Sequence, residues 1–502
     1  MEALRQQLTP IRLLQATFFA LLTLTLALHA LLSTAVASAL ASLLLDQKLL
    51  LLLSTHKVAV LSLLWCTLIA LLGYLSTRPR AVLMLDYACF KPDDDRKLHI
   101  EACEYFVRRS GRFNIESEEF MREIYLRSGL GDETYAPPFI FQTDYEAKLK
   151  SAVDEAEEGM FAAVEAVLKK TRVSPERIDI LIVACGMFSP SPSLSARVMN
   201  RFPFRPSTQT FNLTAMGCSA GATACEMAAN LLSRSRKVGY ALMVVTENIS
   251  LNWYFGDDRS MLVSNCIFRL GTSAVLITND PARRADAKME LLQSLTTHHG
   301  GDDASYGVVM QEEDSQGQVG VTLKKDLIRV AGGRLRDHIK ILAPRVLPVS
   351  QLVSHGYAQL KNWLQAARAP DGDRAKPPRM VIPDFRTAFE HMCVHAGGRA
   401  VVEAVERVMK LPVEILEPAM MTLHRFGNSS GPLLFYELAY FDAKRRVKKG
   451  DRMWMVSFGA GFIVCSLVWK ALRDSEKDPF NPWNDRIHLY PVKTVLNSKS
   501  KK

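Results

Sequence analysis

One cysteine of the sequence stands where a catalytic thiol is commonly built. Cys218 lies in residues 211–232, FNLTAMGCSAGATACEMAANLL, at the junction between a strand-like run and a helix rich in small residues. The unpaired N–H groups at a helix N-terminus favour a thiolate and can lower a cysteine pKa from about 8.5 to roughly 3.5–7.5. We therefore treat Cys218 as a candidate nucleophile; the alternative is a small buried core cysteine, because free cysteine is often buried.

The sequence pattern predicts that a layered α/β domain, which starts near residue 81, positions this thiol. Short continuous apolar runs are typical of strands covered on both faces, and they occur at 82–87, 178–184, 240–246 and 452–458. Amphipathic spacing predicts helices between them, at 145–172, 400–410 and 432–441. Strands that alternate with helices predict an α/β fold.

Charge and cysteine content narrow the class of protein. The chain has 502 residues and a net charge of +10, with 62 Lys and Arg against 52 Asp and Glu. The basic residues are scattered, whereas nucleic-acid binding usually needs a longer basic stripe, so nucleic acid is not an expected partner. The scatter suits a membrane face or coenzyme A phosphates, although a solvated surface explains any single cluster. Nine cysteines without a CxxC pair indicate a reduced protein without a disulfide framework.

Two apolar runs precede this domain, at about residues 13–34 and 58–75. About 20 apolar residues in a helix cross a hydrocarbon core of about 30 Å. Basic residues lie outside both ends, with Arg12 before the first run and Arg78 after the second, which predicts a membrane hairpin with both termini in the cytosol. The alternative is a cleavable signal peptide that ends near residues 35–37.

Three glycosylation sequons bear on the same question. They begin at Asn212 (NLT), Asn248 (NIS) and Asn428 (NSS), and all three fall in segments that read as core or active site. A glycan at any of them would disrupt the fold. We therefore expect the domain to stay outside the lumen of the endoplasmic reticulum.

Four motifs resemble the 3-ketoacyl-CoA synthases of plant very-long-chain fatty acid elongation, which are relatives of chalcone synthase. They are FNLTAMGCSAG from residue 211, TENISLNWYFGDDRSMLVSNCIFRLG from residue 246, HAGGRAV from residue 395 and HRFGNSS from residue 424. The resemblance covers about nine-tenths of the chain. It implies a thiolase-like fold of two similar α/β halves, usually a homodimer on the membrane of the endoplasmic reticulum, with the catalytic domain facing the cytosol.

The domain boundaries that this resemblance implies follow the sequence pattern. Residues 1–80 are the predicted membrane hairpin. Residues 81–285 are the predicted N-terminal half with the nucleophilic cysteine, and residues 286–490 the C-terminal half with the histidine and asparagine. Residues 491–502 form a basic tail.

By resemblance, Cys218 is the nucleophile and His395 and Asn428 are its partners. The implied reaction is a decarboxylative Claisen condensation, which first moves an acyl chain to a thiolate and then stabilises the enolate left when malonyl-CoA loses carbon dioxide. Hydrogen bonds from His395 and Asn428 to that oxyanion are worth several kcal/mol of barrier in a dry site. A nearby His395 is also expected to lower the Cys218 pKa.

The resemblance also marks His298, His391 and His424 as supporting site residues. Each has a structural alternative. His298 lies in the turn-forming sequence THHGGDDASYG, which could be only a loop. Without the resemblance, the sequence around His391 and His424 favours buried, hydrogen-bonded structural histidines. The segment HMCVH at 391–395 is superficially similar to the zinc motif HExxH, but it lacks the glutamate, so no metal is expected.

The chain departs from the family pattern in three places. The family usually has GSGFKCNS where this chain has GAGFIVCS at 459–466, which moves a cysteine to position 465 and removes a lysine and an asparagine. Ala215 and Thr272 stand where the family commonly has glycine. We therefore assign no coenzyme A contacts to named residues.

The leading functional reading is condensation of a long-chain acyl-CoA with malonyl-CoA to give 3-oxoacyl-CoA, coenzyme A and carbon dioxide. Coenzyme A thioesters are the substrates, no cofactor is expected, and other elongase enzymes are the expected protein partners. A type III polyketide synthase is one alternative, although soluble synthases lack both the hairpin and the segment at 246–261. A non-catalytic elongase scaffold is the other, and the intact Cys218, His395 and Asn428 argue against it.

An acyl chain of this length needs an apolar passage, because it is largely insoluble in water. We predict that residues 341–363 form its wall, with Leu347 and Val353 on the lining surface. The alternative is that these side chains only pack the core.

Overall fold

The computed structural model describes residues 57–77, 79–142, 148–367 and 382–497. The chain divides into two compact units, Met1–Pro79 and Arg80–Lys502. The first predicted membrane span, at 13–34, lies outside the described residues, as do residues 498–502 of the basic tail.

The described part of the first unit is one helix, α1 (Lys57–Thr77), which coincides with the second predicted span. Its described apolar side chains include Leu63, Leu64 and Leu71, and all three are exposed. No helix within the described ranges combines the length and the apolar character that a membrane crossing requires. The membrane hairpin therefore stays a prediction.

The second unit contains all thirteen of the strands within the described residues. In chain order they are β1 (Val82–Cys89), β2 (Lys97–Leu98), β3 (Thr134–Tyr135), β4 (Ile180–Cys185), β5 (Gln209–Thr214), β6 (Tyr240–Thr246), β7 (Thr272–Thr278), β8 (Met289–His298), β9 (Val309–Glu313), β10 (Val319–Leu323), β11 (His391–Val394), β12 (Arg452–Gly459) and β13 (Ile463–Ala471). Nine of them form one mixed sheet in the order β11-β12-β13-β8-β1-β7-β6-β4-β5, while β2–β3 and β9–β10 form two small antiparallel sheets.

The helices of this unit cover both faces of the large sheet. In chain order they are α2 (Ile100–Ser110), α3 (Ile115–Arg127), α4 (Leu149–Thr171), α5 (Leu194–Arg201), α6 (Ala220–Arg234), α7 (Arg259–Ile267), α8 (Asp303–Tyr306), α9 (Leu327–Val346), α10 (Val349–Ala367), α11 (Arg399–Met409), α12 (Val413–Phe426), α13 (Leu433–Ala443) and α14 (Lys493–Asn497). The apolar runs predicted as strands at 82–87, 178–184, 240–246 and 452–458 are confirmed as β1, β4, β6 and β12.

The two ends of the large sheet repeat one pattern. Along β4-β6-β7-β1 the pairings are parallel, antiparallel and antiparallel, and along β11-β12-β13-β8 they are the same. The strands β1 and β8 join the two ends as an antiparallel pair. The second unit is therefore built of two similar α/β halves. The predicted boundary at residue 285 falls between β7 and β8 and stays a prediction.

Both faces of the N-terminal strands are buried, which explains their continuous apolar sequences. Leu83 and Leu85 of β1 pack in the cluster that contains α4, whereas Val82 and Met84 pack in the cluster that contains α6 and α13. This second cluster is the central core of the fold. It brings the starts of α6 and α13 together, and the candidate site lies there.

Candidate active site

Cys218 lies in a short 3-10 turn, Gly217–Ser219, that joins β5 to α6. Two residues before it have left-handed backbone conformations, Ala215 with φ 59° and Gly217 with φ 53°. A side chain at Gly217 would also bring its Cβ within 2.9 Å of the Ala460 nitrogen. Glycine is therefore required at 217, and the turn is held against the loop that follows β12.

That loop, at Gly459–Gly461, approaches the nucleophile turn from the C-terminal half. A Cβ on Gly459 would collide with the carbonyl oxygen of Met216 and with the Ser219 side chain. Both Gly459 and Ala460 line the cavity that contains Cys218. The backbone of one half thus packs directly on the cysteine turn of the other.

His395 follows β11, and its backbone nitrogen donates a hydrogen bond to the carbonyl oxygen of Val456 at 2.9 Å. The side chain is 2% exposed. Neither ring nitrogen has a hydrogen-bond partner within the described residues. Burial lowers the pKa of His395 to about 3, so the imidazole is neutral near pH 7 and both nitrogens are available to a substrate.

Asn428 lies in the loop between α12 and α13 and is fixed from four sides. Its backbone nitrogen donates to the Ile267 carbonyl oxygen at 3.0 Å, and its carbonyl oxygen accepts from the Arg269 nitrogen at 2.9 Å. Its Oδ1 accepts from the Ser430 nitrogen at 2.8 Å, and its Nδ2 donates to the Gly397 carbonyl oxygen at 3.2 Å. One amide hydrogen is left for another acceptor.

These three residues line one cavity of about 220 Å³, which we call the active-site cavity. The rest of its wall is mostly apolar and includes Phe268, Val321, Leu327, Ala331, Phe458 and Phe462. The structure therefore brings together the thiol of the N-terminal half and the imidazole and amide of the C-terminal half. An apolar wall around three polar groups is the usual character of a small-molecule site.

The prediction that the pKa of Cys218 is lowered is wrong for this cavity. Burial raises the pKa of Cys218 to about 11, against hydrogen bonds from Ser430 and Asn428 that favour the thiolate. The carboxyl group of Glu247 adds to the rise. Removal of the sulfur from water raises the Cys218 pKa more than the N-terminus of α6 lowers it. A neutral His395 supplies no positive charge that would stabilise the thiolate.

Glu247 is a site residue that the sequence analysis missed. It directly follows β6, is 1% exposed and lines the active-site cavity. Its Oε1 accepts hydrogen bonds from the backbone nitrogens of Met187 at 2.9 Å and Asn248 at 3.2 Å. Burial raises its pKa. The available signal was an ionisable residue placed directly after the largely apolar strand YALMVVT.

His391 lies outside the active-site cavity, although it precedes His395 by only four residues. Its Nε2 lies 2.8 Å from Asp451 Oδ2, and its ring packs against Phe441 with centroids 4.9 Å apart. These contacts tie the start of β11 to the turn before β12. The surroundings of His391 therefore fit a structural role, which is the alternative to a supporting role in catalysis.

His424 and His298 also lie outside the active-site cavity. His424 Nδ1 is 3.2 Å from the Tyr490 hydroxyl, and burial lowers its pKa. His298 is exposed at the end of β8, and its Nδ1 accepts from the Gly300 nitrogen at 3.1 Å. Its ring lies 3.6 Å from the position that a Cβ on Gly461 would take, so it borders the loop after β12.

Two family models match the chain. The model described as FAE1/Type III polyketide synthase-like protein matches residues 74–362, and the C-terminal model of 3-oxoacyl-[acyl-carrier-protein] synthase III matches residues 387–471. Among curated proteins, 3-ketoacyl-CoA synthase 11 of Arabidopsis thaliana is 46% identical over 84% of this chain and 81% of its own length. The chain belongs to the 3-ketoacyl-CoA synthase family. A second relative, 3-ketoacyl-CoA synthase 2 of the same plant, is 45% identical over 84% of this chain and 79% of its own length.

Solved structures share the fold of this 3-ketoacyl-CoA synthase family member. A fungal type III polyketide synthase, ORAS, superposes with a TM-score of 0.57 at 19% identity, covering 78% of this chain and 99% of its own. A type III pentaketide synthase from Neurospora crassa gives a TM-score of 0.58 with the same identity and coverage. The thiolase-like α/β fold that the resemblance implied is therefore confirmed.

The departure at 459–466 does not place a second thiol in the cavity of this family member. Cys465 lies on β13, and its sulfur contacts the hydroxyl oxygens of Thr223 at 3.4 Å and Thr296 at 3.2 Å. Burial raises its pKa. Cys465 therefore packs against α6 and does not line the active-site cavity.

The predicted acyl wall, residues 341–363, lies apart from the active-site cavity, so its part in an acyl passage stays a prediction. No residue of this segment lines the active-site cavity. Leu347 is buried in the central core, and Val353 is 68% exposed. The start of α9 lines the cavity instead, through Leu327 and Ala331.

Proposed function

We propose that this protein catalyses the decarboxylative Claisen condensation of a long-chain acyl-CoA with malonyl-CoA, which gives 3-oxoacyl-CoA, coenzyme A and carbon dioxide. The observation that carries the proposal is the meeting of Cys218, His395 and Asn428 at one apolar cavity. Coenzyme A thioesters are the two substrates, and the reaction requires no further cofactor.

The first step is acyl transfer to Cys218. The neutral imidazole of His395 takes the thiol proton while the sulfur attacks the thioester carbonyl carbon, because a thiol with a pKa of about 11 is protonated near pH 7. The bond between that carbon and the coenzyme A sulfur then breaks. The leaving sulfur takes the proton from His395, so free coenzyme A departs and the imidazole is neutral again.

The second step is decarboxylation and carbon–carbon bond formation. Malonyl-CoA loses carbon dioxide, and the electron pair of the broken bond forms an enolate whose oxygen accepts hydrogen bonds from His395 and the free amide hydrogen of Asn428. The enolate carbon attacks the acyl thioester on Cys218. The Cys218 sulfur leaves as a thiolate and takes a proton from solvent, and 3-oxoacyl-CoA is released.

The acyl chain requires more space than the active-site cavity. A small cavity of about 10 Å³, which we call the neck, shares Met187, Phe268 and Val321 with the active-site cavity. The neck shares Trp253 and Asn265 with a third cavity of about 150 Å³ between α2, α3 and α7, which we call the rear cavity. We assign the distal end of the chain to the rear cavity, which it reaches when side chains of the neck rotate.

Product chain length tests this assignment. Met121 is buried on α3 and lines the rear cavity, so Met121→Trp should shorten the longest product while acylation of Cys218 by medium chains continues. Leu126→Trp is the matched control, because Leu126 lies on the same helix and is 61% exposed. Equal loss at every chain length would show that Met121 only packs the core.

Membrane attachment and location are part of the proposal. The apolar runs at 13–34 and 58–75 support a hairpin in the membrane of the endoplasmic reticulum, with the catalytic unit in the cytosol. Homodimerisation and association with other elongase enzymes are proposed on the family resemblance. A glycosidase-sensitive mobility shift at Asn212, Asn248 or Asn428 would contradict the cytosolic location.

Expression of the full chain in yeast membranes, followed by incubation with acyl-CoA and labelled malonyl-CoA, tests the reaction. The expected product is a 3-oxoacyl-CoA two carbons longer than the primer, with fatty acids longer than 18 carbons accumulating in the cells. A type III polyketide synthase would instead release polyketides from several condensations. A non-catalytic scaffold would give no labelled product.

A further inference from the structure

The helix α10 exposes an apolar stripe along its whole length. Val349, Val353, Tyr357, Leu360 and Trp363 are between 53% and 75% exposed. Their spacing of four, four, three and three residues puts them on one face of an α-helix. Five large apolar side chains in one exposed row are unusual for a surface helix.

The less exposed face of α10 is largely polar. Its partly buried residues include Gln351, Leu352, His355 and Ala358, which recur at helical spacing. His355 Nδ1 is buried and has no hydrogen-bond partner within the described residues. A surface helix normally turns its apolar face inward. The orientation of α10 is the reverse, so another apolar phase must cover its outer face.

The charges near the stripe indicate what covers it. Between Asp337 and Asp371 the sequence contains no acidic residue. Arg345 and Lys361, by contrast, are exposed at the two ends of the region. A second copy of the chain on this face would bring these cations against each other, whereas an anionic lipid surface complements them. Tyr and Trp are also favoured where an apolar phase meets water.

We propose that α10 lies in the surface of an anionic phospholipid membrane, with the stripe from Val349 to Trp363 in contact with the acyl chains. The helix then binds parallel to the membrane plane, as amphipathic interfacial helices do. This membrane contact is separate from the predicted N-terminal hairpin and requires no catalytic activity.

Quenching of Trp363 fluorescence by brominated lipid tests the proposal. The full chain, with Trp65→Phe to remove the tryptophan of α1, is reconstituted in vesicles of 70% brominated phosphatidylcholine and 30% phosphatidylglycerol. Trp363→Phe in this background should reduce lipid-dependent quenching at least about twofold, because the other four tryptophans are buried. Equal quenching with and without Trp363 would overturn the proposal.

A matched pair on the same helix makes the test independent of Trp363. In the background without Trp65 and Trp363, Val353→Trp should be quenched and Ser354→Trp should not, because position 353 is on the stripe and position 354 is off it. The double change Arg345→Gln and Lys361→Gln should weaken quenching only in vesicles with phosphatidylglycerol.

Two outcomes count against the proposal. Equal quenching at positions 353 and 354 would show no membrane orientation, and crosslinking between two Val353→Cys chains without quenching would show that a second copy covers the stripe. Condensation in detergent should continue in all these variants, because none of the substituted residues lines the active-site cavity. Failure of the membrane proposal is therefore distinguishable from failure of the proposed reaction.

Discussion

The two halves of the catalytic unit share a strand pattern but carry different central helices. The N-terminal helix α6 buries Ala220, Gly221, Ala222 and Ala224, whereas the C-terminal helix α13 buries mostly large side chains. The difference follows from contact, because a Cβ on Gly221 would collide with the Gly431 carbonyl oxygen. Because the buried side chains at the start of α6 are small, the loop of the other half that contains Asn428 can approach Cys218 closely.

The two halves also supply different groups to the reaction. The N-terminal half supplies a nucleophile on a turn with two left-handed residues, and the C-terminal half supplies the His395 imidazole and the Asn428 amide. Substitutions in the two halves are therefore expected to impair different steps of the reaction. Variants that separate acyl transfer from condensation test whether the halves have the separate roles that we propose.

The largest effect should come from the N-terminal half. Cys218→Ala removes the atom that accepts the acyl chain, so condensation should fall by about 10⁴-fold or more, as for removal of other covalent nucleophiles. The measurement is incorporation of labelled malonyl-CoA into 3-oxoacyl product. Substantial residual condensation would exclude Cys218 as the acyl acceptor.

The next effect should come from the C-terminal half. Asn428→Asp replaces an amide donor with an acceptor beside the developing enolate oxyanion, so condensation should fall by about 10²–10³-fold. Acylation of Cys218, measured by mass spectrometry with acyl-CoA alone, should persist in part. Loss of acylation with malonyl-CoA decarboxylation intact would reverse the proposed roles.

A smaller effect should follow from pH. With a pKa of about 11, the thiolate fraction of Cys218 rises with pH, so alkylation by iodoacetamide should increase about tenfold per pH unit between pH 7 and pH 9. The site of alkylation is read by peptide mass spectrometry, with Cys218→Ala as the control. A rate that does not change over this range would indicate a preformed thiolate.

The sequence pattern predicts the elements that are buried on both faces and misses those whose form depends on distant contacts. The apolar run 240–246 coincides with β6. The helix α12 is not predicted, because Pro418 lies inside it, and a proline in a helix interior usually argues against a helix. Leu347 and Val353 have similar apolar character in the sequence, yet one is buried and the other exposed.

The same limit applies to the candidate site. Motifs predict Cys218, His395 and Asn428, and the structure places them at one cavity. The burial that raises the Cys218 pKa, and the position of Glu247 in the cavity wall, come from packing between the two halves. No spacing along the chain reports such packing, because the contacting residues are far apart in sequence.

The smallest expected effect concerns His391 and His395, which are four residues apart in the C-terminal half. His391 already has a partner, Asp451, at 2.8 Å, whereas both ring nitrogens of His395 lack one within the described residues. His391→Gln keeps a donor near Asp451, so condensation should change by less than about 3-fold and the free energy of unfolding should fall by about 1 kcal/mol.

His395→Gln is the matched comparison and should lose about 100-fold in condensation, because an amide cannot accept the Cys218 proton. Assays of both variants beside their thermal unfolding curves separate the two roles. Equal losses of condensation would show that His391, despite its place outside the cavity, takes part in the reaction.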